Sequence, residues 1–259
     1  MTYGCPMRPD QLAVQLYTLR DLAAADLAGT LRAVAGAGFR AVELAGLPAI
    51  EAAPLRDLLA AEDLTPVGSH ESLERLRADL EGVIERMTVV GCPRIIVPWM
   101  PEADRTDVAG VRRLAAELGR MAAICSEREI RLGYHNHAFE FEPLDGTTVW
   151  EVLLDNLPPG IELELDVYWA TVAGRDPLTV IGGAGDRMRL LHMKDMAPGP
   201  ERGDVAPGDG ILPWAEIVAA ATRQGVAWYI VEEDNPRDAI AEITRGRTYL
   251  EEFATATPG

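Results

Sequence analysis

The chain is poor in histidine, in cysteine and in positive charge. Among 259 residues there are 4 histidines and 3 cysteines, and 24 lysines and arginines stand against 41 aspartates and glutamates, a net charge of −17. A polyanion partner needs a basic footprint, and no Lys/Arg cluster occurs, so nucleic acid is not expected as a partner. The acidic balance reads instead as a solvated surface. Cys5, Cys92 and Cys125 are widely spaced and odd in number. They fit neither a metal spacing nor a disulfide framework, and are expected to be reduced and structural. No run of eighteen apolar residues is present, so no transmembrane helix is expected. The opening MTYGCPMRPD lacks an apolar signal region, which points to the cytoplasm. No GxGxxG follows the first apolar run and no P-loop pattern occurs, so neither a dinucleotide nor a phosphate group is indicated.

What is present is alternation. Short apolar runs occur at 12–19, 39–46, 64–70, 94–100, 130–137, 161–169, 189–195 and 227–234, with helical patterns between them such as 26–38, 111–129 and 214–225. Several of these patterns end in glycine, at Gly38, Gly91 and Gly225, as helix C-caps do. Strand–helix alternation implies parallel βαβ units. Eight units in about 250 residues is the size of a (β/α)8 TIM barrel. The expectation is therefore an α/β fold, one barrel domain over residues 1–259, with a doubly wound open sheet as the runner-up.

A barrel carries its active site where strands end. All four histidines fall there: His70 ends strand 3, His135 and His137 end strand 5, and His192 lies late in strand 7. In strand 6 the period of two sends Glu162, Glu164 and Asp166 inward. Glu162 and Glu164 lie lower, where charge needs a partner. Strand 7 turns Leu190, His192 and Lys194 inward, strand 8 brings Glu232 to the top with Glu233 facing away, and strand 2 adds Glu43. Converging imidazoles and carboxylates suit a divalent transition metal.

The segments GFRAVEL, YHNHAFEF, ELDVYW, LLHMKDM, PGDGILPWAEI and YIVEED resemble the xylose isomerase-like sugar phosphate isomerase/epimerase family, over nearly the whole chain. The resemblance implies a (β/α)8 barrel with one divalent ion (Mn, Co, Zn or Mg) held by glutamate, aspartate, histidine and glutamate from strands 5 to 8. Asp166, His192 and Glu232 match the last three. On strand 5 the pattern wants a glutamate three residues before Asn136, and that position is Gly133. His135, His137, Glu140 or a water is left to fill the gap, with His137 and Glu140 preferred.

The implied activity is isomerisation or epimerisation of a sugar, keto-sugar or cyclitol through an enediolate. Glu232 serves as one acid/base and His137 or Glu140 as the other. Glu43, His70, His135, Asn136, Trp169 and Lys194 are expected at the substrate, with Tyr17, Trp99 and Tyr168 as further stacking walls. The turn-rich stretch 195–214 is expected to cover the site, with Asp195 near it. The partner is then a small sugar, with no membrane and no nucleic acid, and with room for a homo-oligomer. Three alternatives stay open. A dehydratase would use the same enolate. A catalytically inactive sugar-binding protein is suggested by Gly133. A phosphodiesterase is disfavoured by Trp169 and by the net charge.

Overall fold

The computed structural model describes residues 7–255, so Cys5 and most of the opening segment lie outside the described residues. Eight parallel strands close into a barrel in chain order. They are β1 (Leu12–Gln15), β2 (Ala41–Leu44), β3 (Thr65–His70), β4 (Arg94–Val97), β5 (Arg131–His135), β6 (Glu162–Asp166), β7 (Met188–Met193) and β8 (Trp228–Val231). β8 pairs with β1, Ala13 opposite Ile230, and completes the ring. Each expected strand is present, two to four residues shorter than its apolar run in most cases. The runs extend past the ladder because the residues beyond it, such as Tyr168 and Trp169, open short helices at the barrel top.

Local chemistry fixes where the surrounding helices begin and end. Side chains of Asp26, Ser72, Asp107 and Thr148 accept the backbone N–H of Gly29, Arg75, Gly110 and Glu151, capping four helix N-termini. Gly91 and Gly225 end their helices in the left-handed region, at φ 79° and 75°, where a side chain would be strained. Among the described residues no helix is long and apolar enough to cross a membrane. Cys92 and Cys125 are free and buried.

Inside the barrel the strands alternate as the period of two demands. Ala13, Ala41, Val67, Ile96, Leu190 and Ile230 form an interior apolar cluster separate from the main core. At the bottom Glu162 finds the cations its burial requires, Arg94 Nε at 2.7 Å and Arg131 Nη1 at 3.3 Å. Two residues beyond five of these six stand Gln15, Glu43, Ser69, His192 and Glu232, and that layer is the site.

Candidate active site

Asp166, His192 and Glu232 end three neighbouring strands, and one donor atom from each lies within 4.8 Å of the others. All three are buried. His192 spans two levels: Nδ1 meets Glu232 Oε2 at 2.6 Å, while Nε2 meets Glu43 Oε2 at 2.7 Å and Glu164 Oε1 at 2.9 Å. Lys194 stands beside this set. Its Nζ lies 3.2 Å from Asp166 Oδ2, 3.0 Å from Glu232 Oε2 and 2.9 Å from Asp234 Oδ2. Asp234 was not singled out from sequence, although the strand period that placed Glu232 inward also places the residue two beyond it.

The electrostatics follow from five carboxylates: Asp166, Glu232 and Asp234 around Lys194, and Glu43 and Glu164 around His70 and His192. Burial alone would lower the Lys194 pKa, but Asp166, Glu232 and Asp234 raise it well above its ordinary value. Burial would likewise raise Glu232, yet Lys194 and His192 hold it well below the carboxylate range. Asp166 is pushed up to about 6 by burial, against the pull of Lys194. For His70, burial is outweighed by Glu43 and Glu164, which raise it to about 10. His137 is lowered to about 4 by burial and by Lys194, so it is a neutral imidazole at pH 7.

A cleft of about 580 Å³ opens over these groups. His70, His135, His137, Lys194 and Glu232 reach it from below, and Tyr17, Arg20 and Trp99 stand around it. Tyr17 and Trp99 are 40% and 47% exposed, which leaves their faces free to stack on a ligand.

Four expected contacts are not brought to this cleft. Glu140 is fully buried behind β5, where Oε1 accepts the Tyr134 hydroxyl and Oε2 the His137 backbone N–H, both at 2.7 Å. Tyr134 alternates away from Gly133 and His135, so Glu140 braces the turn after β5 and does not replace the missing strand-5 carboxylate. Asn136 is also fully buried: its Oδ1 accepts the Asp166 N–H at 3.0 Å and its Nδ2 donates to the His137 carbonyl. It ties β5 to β6 and sets Asp166, and no polar atom of it is left for substrate. Glu43 lies beneath the histidines, its Oε2 held by Gln15, His192 and His70. Trp169 packs on His137 and Tyr168, ring centroids 5.7 and 5.0 Å apart, and so supports His137 from behind. Tyr168 is no stacking wall either, since its hydroxyl donates to the Arg202 carbonyl. At Gly133 an added Cβ would fall 2.5 Å from Ile96 Cδ1; the isoleucine fills the space that a strand-5 side chain would need.

The stretch after β7 is a folded loop. Asp195–Met196 pairs antiparallel with Asp204–Val205. Asp195 is buried and accepts five bonds, from the backbone N–H of Met196, Gly208, Gly210 and Leu212 and from Trp214 Nε1. It therefore organises the loop rather than meeting substrate.

Residues 31–253 match the family described as xylose isomerase-like TIM barrel. The chain belongs to that family. Among solved structures it is similar to a sugar phosphate isomerase/epimerase from Parabacteroides distasonis ATCC 8503, at 22% identity and TM-score 0.81 over 94% of this chain and 93% of that one. It is also similar to the IolI protein with a bound zinc atom, at 14% identity and TM-score 0.75 over 95% and 100%. A third is D-psicose 3-epimerase in the presence of D-fructose, at 15% identity and TM-score 0.72 over 95% and 100%. At these identities the likeness is one of fold. No curated protein sequence matches the chain.

Burial leaves a measurable trace at Glu140, whose pKa it raises from 4.5 to about 7. The unfolded chain releases this proton near 4.5 and the native state keeps it until about 7. The stability it contributes is full below pH 4.5 and is lost as the pH rises through 7, by roughly 3 kcal/mol. Urea midpoints of wild type and Glu140→Gln over this range should show a shallower decline in the variant. Parallel declines would remove Glu140 as the source.

Proposed function

We propose that the protein is an isomerase or epimerase of a sugar, keto-sugar or cyclitol that works by proton transfer next to a carbonyl. The observation that carries this reading is the placement of Glu232 and His137 on strands three apart around one cleft, with Lys194 between them in the ring. Glu232 is held ionised and His137 neutral, the states in which each can accept a proton. Lys194 keeps Glu232 in place and presents positive charge where negative charge develops on substrate oxygen. Trp169 packing fixes the His137 ring, and Asn136 fixes Asp166.

The family implies a divalent metal, and the residues fit one. Asp166, His192 Nδ1 and Glu232 supply two carboxylates and an imidazole, and His192 Nε2 faces the carboxylates of Glu43 and Glu164, as the far nitrogen of a metal-bound histidine usually does. Five carboxylates outnumber the cations that face them, Lys194 and the raised histidines His70 and His192, and a dication offsets the excess. When bound, such an ion would polarise two vicinal substrate oxygens. His137 Nδ1 is buried without a hydrogen-bond partner, which leaves it free to meet a ligand.

The test is a panel of keto-sugars and cyclitols in deuterated solvent with metal-loaded protein. The expected result is deuterium at the carbon next to the carbonyl, with turnover lowered about 100-fold or more in Glu232→Gln. Loss of water in place of rearrangement would make the protein a lyase acting through the same enolate. Binding without exchange across the panel would make it a sugar-binding protein.

A further inference from the structure

A second constellation lies beneath the Asp166–Lys194–Glu232 layer, and the proton-transfer reading does not use it. His70 Nε2, His135 Nδ1 and His192 Nε2 lie 2.8, 2.9 and 2.9 Å from a single oxygen, Glu164 Oε1. These four ligand atoms all lie within 4.8 Å of one another. The other oxygen of Glu164 is buried and has no hydrogen-bond partner, although the residue is fully inaccessible to solvent. Three imidazole nitrogens from β3, β5 and β7 and one carboxylate from β6 thus converge on one point inside the barrel.

We propose that this point is a second divalent transition-metal site, held by His70 Nε2, His135 Nδ1 and Glu164. It shares only His192 with the Asp166–His192–Glu232 set. His192 decides how the two are related. A neutral imidazole carries one proton, so it can ligate through only one nitrogen. If an upper ion takes Nδ1, then Nε2 keeps its proton and donates to Glu43 Oε2, already 2.7 Å away. The deep ion then rests on His70, His135 and Glu164. If the upper position is empty, His192 Nε2 becomes the fourth ligand. Tetrahedral ligands at 2.0–2.1 Å from zinc stand about 3.4 Å apart, so the present contacts must open by about half an ångström. His70 and His135 both border the cleft, which gives an ion its entry path.

The donor types also separate the two sites. Two or three imidazoles favour zinc, cobalt or iron, whereas the oxygen-rich upper set suits manganese or magnesium. Cobalt is therefore the probe. Metal-depleted protein would be loaded with cobalt, dialysed, analysed for its metal content, and crystallised for anomalous diffraction at the cobalt edge. The expected result is a peak bonded to His70 Nε2 and His135 Nδ1 in the wild type. The same peak should persist in Asp166→Asn and be absent from His70→Ala/His135→Ala. The wild-type map decides the point even if the double variant fails to fold. Cobalt found at Asp166 and Glu232 alone would overturn the proposal and leave the proposed function standing. Cobalt in the deep site alone would support it and leave the upper set to manganese or magnesium. Cobalt in neither place would overturn the proposal, and the proposed function would still be decided by the deuterium exchange.

Discussion

Lys194→Met should destabilise the metal-depleted protein by about 3–5 kcal/mol, the loss typical when one partner of a buried ion pair is removed. The side chain is 1% exposed, and its ammonium touches three carboxylates. Methionine fills much of the volume, so the loss is electrostatic: Asp166, Glu232 and Asp234 lose the one cation that touches all three. Guanidinium unfolding in the presence of a chelator measures it. Adding a divalent metal should return part of the lost stability, because the ion supplies the charge that the ammonium no longer does. A variant as stable as wild type in chelator would mean that these carboxylates are protonated in the native state, and the charge argument for the site would fail with it.

Asp195→Ala is expected to cost at least about 3 kcal/mol and to loosen the loop over residues 197–212. Hydrogen bonds to a charged group contribute about 1.5–3 kcal/mol each when lost singly, and they are not additive. The five donors that converge on this carboxylate come from both ends of the loop and from Trp214 at the start of the next helix. With alanine they face a hole. Asp195→Asn should fall between the two, since an amide oxygen can still accept some of these bonds while its NH2 group opposes the others. Thermal unfolding together with limited proteolysis within 197–212 checks this. A loop as resistant to protease as in wild type would show that the hairpin, not the carboxylate, holds it.

The barrel was legible because its evidence is periodic. Eight apolar runs separated by amphipathic helices leave few arrangements, and the alternation along β6 placed Glu162, Glu164 and Asp166 inward without any knowledge of neighbours. Side-chain direction at the strand ends was legible for His192 and Lys194 for the same reason. It failed just past the ladders. Once β5 ends at His135 the period of two no longer applies, and Asn136 and Glu140 turn back to satisfy buried N–H groups of Asp166 and His137. A linear sequence does not show that Tyr134 offers its hydroxyl to Glu140 from the outer face of the strand. Depth was equally hidden: Glu43 points inward as expected, but Gln15 and the histidines above it close it off from the cleft. Four of the five partners of Asp195 lie 13 to 19 positions away along the chain, in a loop whose glycines and prolines signal turns but not where they fold.

The contact between Gly133 and Ile96 constrains the order in which this barrel can change. A carboxylate at position 133 is one substitution away on paper, but its first carbon would fall 2.5 Å from the Ile96 terminal methyl, so the buried isoleucine must shift to admit it. Gly133→Glu made first carries the cost of displacing Ile96. Ile96 shortened first opens a void that position 133 can then use. The effect of either change thus depends on whether the other has been made, and one order passes through a far less damaged intermediate than the other. In mutational terms position 96 acts as a gate on position 133, so a library that varies strands 4 and 5 together should yield that carboxylate more often than one that varies strand 5 alone.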